Sequence, residues 1–315
     1  MANFGILTRA QYLSLGEKRC FSGARVAYNL LRVSEHPTPE EIRTFEDICV
    51  TLRTSNGTFR TTFRNRFPDV DAKAMEWIGR SFDPAAPLSV QDRAVSSGLT
   101  SYEWAQVLFR SFPAAQFEAS DLLVELLELS LDNGETYIVE PNGAPLQYIQ
   151  PPYVVALYHP ESWRNPWLRW VGTQARKRFD NLSLPKDWMR TASGPGYKVA
   201  HISCVHPEAQ LLARTHPNFR FQVRSVFDRM PGACHVMRTM NILNPSYFSP
   251  EQLREGFRTV FDTLQPGGLW IAGRTLEEDL SNHVSFLRRL DKGWEVLDRI
   301  GKGWELEESA LGSTR

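Results

Sequence analysis

The chain has 315 residues, of which 42% are hydrophobic and 23% are charged, and this composition is typical of globular proteins. It excludes a wholly disordered chain, a collagen-like repeat and a coiled-coil rod. The 36 Lys and Arg residues balance 36 Asp and Glu residues, so no global positive field attracts nucleic acid or an anionic membrane. The length suggests two domains, or one large α/β domain with an appendage.

Targeting and metal signals are absent from the sequence. No apolar run reaches the roughly 18 residues that a membrane helix needs, and the N-terminus lacks the pattern of a signal peptide. The four cysteines form no CxxC pair, which favours reduced thiols in the cytoplasm. The spacing of His201, His206 and His216 places them on no common helix face, and HExxH is missing, so we predict no metal site.

Residues 1–85 have the patterns of a helical N-terminal domain. Thr38 and Pro39 form a helix start, with a capping side chain followed by proline at the first helical position. Apolar residues then recur at helical spacing. We predict further helices over Thr61–Arg66 and Asp71–Ser81, followed by a proline-rich linker.

Residues 86–315 alternate between strand and helix patterns, which predicts parallel strands joined by helical crossovers. The predicted helices are Thr100–Phe112, Pro207–Arg214 and the segment from Ser249 to Leu264. The predicted strands are Leu88–Ala94, Gln116–Ser120, Lys198–Ser203, Phe219–Val226, Cys234–Thr239, Leu269–Gly273 and a closing antiparallel pair, Trp294–Ile300 with Trp304–Glu307.

An insertion over 122–196 interrupts this alternation. We predict a helix over Leu122–Leu131, then a β-hairpin of Thr136–Glu140 with Leu146–Gln150. A basic, Trp-rich stretch and a loop at Ser193–Gly196 complete it.

Ligands of an open parallel sheet bind beyond the carboxyl ends of its strands, near the point where strand order reverses. The first predicted strand ends in the small-residue turn Val95–Gly98, directly before a helix N-terminus. Asp121 ends the second strand and could accept hydrogen bonds from a ribose diol. Together with Ser225–Asp228 and Arg238–Asn241 at two later strand ends, these residues predict a nucleoside-type cofactor site. The alternatives are a plain connection at the turn and an Asp121 that only caps the helix predicted after it.

Several segments resemble class I S-adenosylmethionine-dependent methyltransferases, and more narrowly the chemotaxis-receptor glutamate methyltransferases. The sharpest matches are the Pro-Gly-Gly motif within Leu264–Ile271 and the Ala-Ser-Asp motif at Ala119–Asp121. The other matching segments are Ala94–Tyr102, Arg238–Asn241 with Tyr247 and Phe248, and Thr61–Arg64.

The resemblance implies an α/β fold: a Rossmann-like class I methyltransferase domain with a seven-stranded mixed sheet over 86–315, a helical N-terminal domain over 1–85, and a helical and hairpin insertion over 122–196. It implies S-adenosyl-L-methionine as cofactor. The turn would contact its methionine part, Asp121 its ribose, and Arg64 with Thr61 its carboxylate. The implied cofactor-binding residues are Arg64, Asp92, Ala94, Val95, Ser96, Ser97, Gly98, Asp121, Ser225, Val226 and Arg238.

Some positions depart from the family pattern. Leu99 and Thr100 stand where the family has acidic residues after the turn, so Asp92 is the substitute for holding the cofactor ammonium. Ser225 replaces the family's asparagine, and 276–315 has no match.

The sequence leaves the reaction open. The first hypothesis is methyl transfer to a small molecule in a cavity lined by Arg238, Asn241 and Tyr247, with Tyr153 and Ser203 as further candidate catalytic residues. Aromatic faces at Tyr153, Tyr247 and Trp163 could stabilise a sulfonium, or could simply be core.

Three other hypotheses remain. In the second, the cofactor's own amine closes a four-membered azetidine ring, with Asn241, Ser203 and Tyr153 orienting the amine. The third is carboxyl methylation of a protein glutamate, and the fourth is a non-catalytic module. The basic residues that could face an acidic helix in the third, or be merely solvated, are Arg53, Arg60, Arg64 and Arg66.

Overall fold

The computed structural model describes residues 5–15, 26–57, 60–158 and 166–313. Their contacts form two units. The first contains the described residues of Met1–Phe63 and Leu123–Pro207, and the second those of Arg64–Leu122 and Glu208–Arg315. The predicted domain boundary after residue 85 and the insertion over 122–196 divide the chain differently, and that division stays a prediction.

Eight α-helices occur in the described residues. They are α1 (Arg9–Leu13), α2 (Pro39–Cys49), α3 (Pro68–Ser81), α4 (Leu99–Ser111), α5 (Pro166–Asp180), α6 (Pro207–Thr215), α7 (Pro250–Thr263) and α8 (Glu307–Gly312).

Thirteen strands occur in the same residues. They are β1 (Ser89–Arg93), β2 (Gln116–Asp121), β3 (Glu125–Leu131), β4 (Thr136–Val139), β5 (Pro145–Gln150), β6 (Tyr153–Ala156), β7 (Ser193–Gly194), β8 (Tyr197–Ser203), β9 (Phe219–Val223), β10 (Cys234–Met240), β11 (Leu264–Thr275), β12 (Asn282–Arg289) and β13 (Trp294–Ile300).

The two predicted helix starts are confirmed. Thr38 and Ser249 each accept a hydrogen bond from the backbone N–H three residues later, and the side chains of Glu41 and Gln252 bond back to the cap residue. These capping boxes satisfy N–H groups that have no partner inside the helix, and they define where α2 and α7 begin.

The first unit contains a six-stranded sheet in the order β6-β5-β4-β3-β8-β7, with every pair antiparallel. The predicted hairpin is confirmed as β4 and β5. Both faces of the sheet are covered. Leu126 and Ile138 pack in a core cluster with α2, whereas Leu127 and Leu129 pack in a second cluster with α5.

The predicted helix over Leu122–Leu131 is wrong, because these residues contain strand β3. Since both faces of β3 are buried, its apolar residues form a nearly continuous run that periodicity alone cannot distinguish from a helix. The predicted strand at Lys198–Ser203 exists as β8, but it pairs with β3 rather than with the parallel strands. Part of the loop predicted at Ser193–Gly196 is strand β7.

The second unit contains a seven-stranded mixed sheet in the order β13-β12-β11-β10-β1-β2-β9. Strands β9, β2, β1, β10 and β11 are parallel, whereas β12 and β13 continue as an antiparallel meander. The chain runs outward from β1 to β2 and β9, then returns to the other side of β1 at β10. This reversal is that of a doubly wound, Rossmann-like sheet, and the predicted α/β fold with a seven-stranded mixed sheet is confirmed.

The predicted pairing of Trp304–Glu307 with Trp294–Ile300 is wrong. Strand β13 pairs with β12, and Glu307 begins α8. The backbone N–H of Trp304 donates to Ser285 Oγ over 2.8 Å, and its indole packs edge-on against Phe257. Gly301 and Gly303, which lie between the two segments, have positive φ and lead the chain into this core contact.

Candidate functional site

The strand order of the second unit reverses between β1 and β10, so the crevice at their carboxyl ends is the expected ligand position. The turn after β1 has an unusual backbone. Ala94 and Ser96 have φ near 59° and Gly98 has φ of 75°, so three alternate residues are left-handed although only one is glycine. This shape turns the strand sharply into helix α4.

Gly98 is required by its surroundings as well as by its φ. A Cβ atom built there would lie 2.3 Å from Cε2 of Phe221 on β9. Glycine has no side chain to cap α4, so the N-cap residue supplies no acceptor for the first N–H groups of the helix. Together with the helix dipole, they favour a negatively charged ligand group.

Asp121 is joined to this turn. Its Oδ2 accepts a hydrogen bond from the Ser96 N–H at 2.7 Å, and its backbone carbonyl accepts one from Arg224 N–H at 3.1 Å. No helix follows Asp121, because β3 begins at Glu125. The alternative that Asp121 caps a helix is therefore wrong, and the structure brings its carboxylate to the turn after β1.

Ser225 and Val226 lie in a tight turn after β9. The Ser225 N–H donates to Asp228 Oδ2 at 3.0 Å, and the Phe227 N–H donates to Ser225 Oγ at 3.1 Å. Val226 is buried, whereas Ser225 is partly exposed. The turn follows β9 at the same sheet edge as Asp121, since Arg224 N–H binds the Asp121 carbonyl.

Arg238 on β10 and Asp92 on β1 form a buried ion pair. Arg238 Nε donates to Asp92 Oδ1 at 3.0 Å, and its Nη1 donates to Asp71 Oδ1 at 2.6 Å. Ser101 Oγ, in the first turn of α4, donates to Asp92 Oδ2 at 2.6 Å. The Arg238 guanidinium also stacks 4.3 Å from the Trp104 ring centroid.

This geometry corrects two expectations. Only 1% of the Arg238 side chain and 3% of the Asp92 side chain are exposed, and both oxygens of Asp92 already accept hydrogen bonds. Lining a cavity or holding an ammonium requires exposure that neither group has. We therefore assign both residues to the support of the turn and of α4.

The cluster holds two carboxyl groups and one guanidinium, and the pKa of the Asp71 carboxyl is shifted. Burial is the main cause that raises the pKa of Asp71 to about 7, with Asp92 adding repulsion and Arg238 opposing the shift. The pKa of Glu103 on α4 is also raised, mainly by burial, although the Asn65 N–H opposes the shift by donating to its carboxylate.

The segment Arg64–Arg66 runs along this end of the second unit. Its predicted helix is absent, and Asn65 has a positive φ of 54°. Arg64 Nη2 donates to Glu208 Oε2 at 2.6 Å. Arg66 Nε donates to Thr275 Oγ1 at 3.2 Å, so this segment reaches the end of β11.

Asn241 follows β10 with a positive φ of 61°. Its Oδ1 accepts the Thr275 N–H at 2.7 Å, and its own N–H donates to the Gly273 carbonyl at 2.8 Å. The side chain thereby joins the ends of β10 and β11. Arg66 was predicted only as part of a possible basic face, and neither Thr275 nor its contact with Arg66 was predicted from the sequence.

Tyr247 is 44% exposed and borders an open groove of about 510 Å³. Burial lowers the pKa of Arg66, and a charge interaction with Tyr247 opposes that shift. The two side chains therefore lie close enough to interact electrostatically. The groove is lined mainly by apolar and aromatic residues, which include Tyr247, Phe248, Leu253, Phe257 and Leu306.

Tyr153 and Ser203 lie in the first unit. Tyr153 begins β6, and its hydroxyl accepts a hydrogen bond from Trp167 Nε1 at 3.3 Å. Ser203 ends β8, and its Oγ accepts the Val205 N–H at 3.2 Å. Thr61 also belongs to the first unit. Trp163 lies outside the described residues.

Among the described residues, no group of three His, Cys, Asp or Glu side chains is placed to hold a metal ion. None of the helices in these ranges combines the length and hydrophobicity needed to cross a bilayer.

Comparison with known proteins gives distant structural similarity only. No family model and no curated protein matches the chain. The chain is similar to a citrinin polyketide synthase CMeT domain, at 12% identity and a TM-score of 0.37, covering 86% of this chain and 48% of that one.

Two further similar structures are covered over a larger share of their own length. One is 1,6-didemethyltoxoflavin-N1-methyltransferase of Burkholderia thailandensis with bound S-adenosylhomocysteine, at 10% identity and a TM-score of 0.34, covering 78% of this chain and 65% of that one. The other is a putative S-adenosylmethionine-dependent methyltransferase of Methanococcus maripaludis, at 8% identity and a TM-score of 0.31, covering 77% and 68%. The chain spans less than half the length of the first of these three proteins. Similarity at these TM-scores adds no evidence to the sheet topology described above.

Proposed function

We propose that the chain is an S-adenosylmethionine-dependent enzyme, and that its reaction is methyl transfer to a small molecule. One observation carries the proposal: Asp121 binds the Ser96 N–H of a sharply bent turn, directly before an uncapped helix and at the point where strand order reverses. A carboxylate beside helix N–H groups that the cap residue does not satisfy suits a ligand that has both a diol and an acidic group.

The donors and acceptors of this edge fit an adenosyl cofactor. In the proposal, Asp121 accepts the ribose hydroxyls, and Ser225 and Val226 flank the adenine. Ala94, Val95, Ser96, Ser97 and Gly98 bring backbone close to the methionine part, whose carboxylate would meet the N-terminus of α4 and the Arg64 guanidinium. When bound, S-adenosylmethionine supplies an activated methyl group on sulfur.

The chain's own task is then to bind, orient and exclude water. Asn241 and Tyr247 are the proposed residues of the second unit that border the acceptor, since both follow β10. Tyr153 and Ser203 stay proposals from the sequence. The cytoplasmic location stays a proposal from the sequence.

The binding step is tested by calorimetry with S-adenosylmethionine. Asp121→Ala should weaken binding by about 1–3 kcal/mol, which is the cost of lost hydrogen bonds to a charged group. The exposed Asp291→Ala is the matched control and should bind as the wild type does. Equal affinity of Asp121→Ala and the control would remove Asp121 from the site, and no binding by the wild type would refute the cofactor.

The reaction is tested by incubation with S-adenosylmethionine and mass spectrometry of the products. S-Adenosylhomocysteine formed with a small-molecule acceptor supports the proposal. Methylthioadenosine formed without an acceptor would replace it with ring closure, in which the amine nitrogen bonds to Cγ, the Cγ–S bond breaks and the amine releases a proton. S-Adenosylhomocysteine formed only with an acidic protein helix would replace it with protein carboxyl methylation.

A further inference from the structure

Arg93 is the last residue of β1, and 1% of it is exposed. Its Nη1 donates to the Asp228 carbonyl at 2.8 Å and to the Val226 carbonyl at 3.4 Å. Its Nε and Nη2 both donate to Gln91 Oε1, at 3.1 and 2.9 Å. Because successive strand side chains point to opposite faces, Arg93 lies on the other face of the sheet from the Asp92 ion pair.

The partners of this guanidinium are neutral. No described carboxylate forms an ion pair with Arg93, and burial is the main cause that lowers its pKa. A buried charge without a counter-ion is costly, and an apolar side chain of similar volume would pack there at lower cost. What arginine adds is a rigid, planar set of donors that can hold several acceptors in one arrangement.

The acceptors that it holds belong to the turn after β9. This turn is attached to the sheet at its start, where the Arg224 N–H binds the Asp121 carbonyl. Arg93 attaches its other end through the Val226 and Asp228 carbonyls. The orientation of two of its peptide groups therefore depends on one side chain, and that side chain extends from the strand that also leads into the Ala94–Gly98 turn.

We propose that Arg93 is a positioning residue that fixes the Ser225–Asp228 turn as the wall against the base of a nucleoside ligand. This inference rests on the proposed adenosyl cofactor, whose adenine would lie against that turn. Arg93 itself touches no ligand. It acts by setting the peptide groups that the base edge meets.

The first test needs no ligand. Hydrogen exchange is measured on the full chain for wild type, Arg93→Met and the control Arg288→Met, which removes an exposed ion pair with Glu295. Faster exchange confined to peptides covering 224–231 in Arg93→Met, by about tenfold or more, supports the proposal. Unchanged exchange in that turn, or equally faster exchange throughout the second unit, overturns it.

The second test measures recognition of the base. Calorimetry compares methylthioadenosine with methylthioinosine, which differ only in the base edge. The wild type and Arg288→Met should prefer the adenine compound. Arg93→Met should bind methylthioadenosine at least tenfold more weakly than the wild type does. The ratio of its affinities for methylthioadenosine and methylthioinosine should fall toward one, and an unchanged ratio overturns the proposal.

Arg93→Lys separates charge from geometry, since lysine keeps the charge without the planar donor set. Intermediate affinity and intermediate exchange support positioning by the guanidinium, whereas full wild-type behaviour overturns it. If the wild type binds neither nucleoside, the proposed cofactor fails, and the exchange experiment still decides whether Arg93 holds the turn.

Discussion

Two arginines are fully buried on neighbouring strands of the second unit, and they are balanced in different ways. Arg238 on β10 meets two carboxylates, those of Asp92 and Asp71. Arg93 on β1 meets only carbonyl oxygens, from Val226, Asp228 and Gln91. Each supports one side of the crevice: Arg238 the start of α4, and Arg93 the turn after β9.

Substitution of each arginine would leave different buried groups without a partner. Removing Arg238 would leave the Asp92 carboxylate and the Asp71 carboxyl group buried without a cation, whereas removing Arg93 would leave neutral carbonyls without a donor. Uncompensated charge costs more than an unpaired dipole. The two sites therefore predict unequal losses of stability from the same arginine-to-methionine change.

The largest effect is expected for Arg238→Met, which should lower the free energy of unfolding by about 3–5 kcal/mol. Urea denaturation of the variant and the wild type measures the loss. Arg288→Met, at a partly exposed residue, is the control and should change stability by less than about 1 kcal/mol. A loss below about 1 kcal/mol for Arg238→Met would show that the buried pair contributes no more than a surface pair.

Asp71→Asn should have an effect that depends on pH. The folded pKa is about 7, above the value of about 3.9 in an unfolded chain, so the folded state binds more protons between these pH values. The free energy of unfolding of the wild type should therefore fall as pH rises from about 4 to 7 and then level off.

In the Asp71→Asn variant, the side chain at this position is an amide that does not titrate between pH 4 and 8. The variant should match the wild type near pH 4 and exceed it at pH 8, by up to about 4 kcal/mol. Urea denaturation of both proteins at pH 4, 6 and 8 measures the difference. A wild type that gains stability relative to the variant as pH rises would show that Arg238 lowers the pKa of Asp71 instead.

Arg93→Met should lower the free energy of unfolding by about 1–3 kcal/mol, since it leaves buried carbonyls unpaired but no orphaned charge. The same urea series measures it beside Arg238→Met. A loss as large as that of Arg238→Met would contradict the expected difference between the two sites. It would mean that leaving carbonyl oxygens without a donor destabilises the fold as much as leaving carboxyl groups without a cation.

The smallest effect is expected at the turn that both arginines flank. Ala94 has a φ of 59°, so Ala94→Gly should relieve backbone strain and change stability by between zero and a gain of about 1 kcal/mol. The exposed Ala85, which has no positive φ, is the matched control, and Ala85→Gly should lose about 0.5–1 kcal/mol. Thermal unfolding of both variants compares them, and equal losses would show that the turn carries no strain at Ala94.

Much of the second unit could be predicted from the sequence because its elements carry local signals. The Ser249 capping box, the Pro-Gly-Gly motif and the alternation of strands with helices each depend on residues close in the chain. Asp121 was found in the same way, as a polar residue at a strand end.

The first unit and the buried charges depend on contacts distant in sequence. Strand β3 was predicted as a helix because its pairing with β8 is set by residues about 70 positions away, and no local pattern shows that both its faces are covered. The roles of Asp92 and Arg238 depend on each other across neighbouring strands and on Asp71 from α3. A charged residue within an apolar strand predicts that its side chain is buried against a partner. The sequence does not show which residue that partner is.

The antiparallel meander at one end of the large sheet has a consequence for the order of folding. Strands β11, β12 and β13 follow one another and pair through short connections, whereas β9, β2, β1 and β10 meet only after helical crossovers or a long excursion of the chain. Short-range pairing closes small loops and forms sooner. In pulse-labelling during refolding, we expect amide protection to arise first over residues 264–300 and last at β9, so the half of the sheet that holds the proposed base wall would be the final one to assemble.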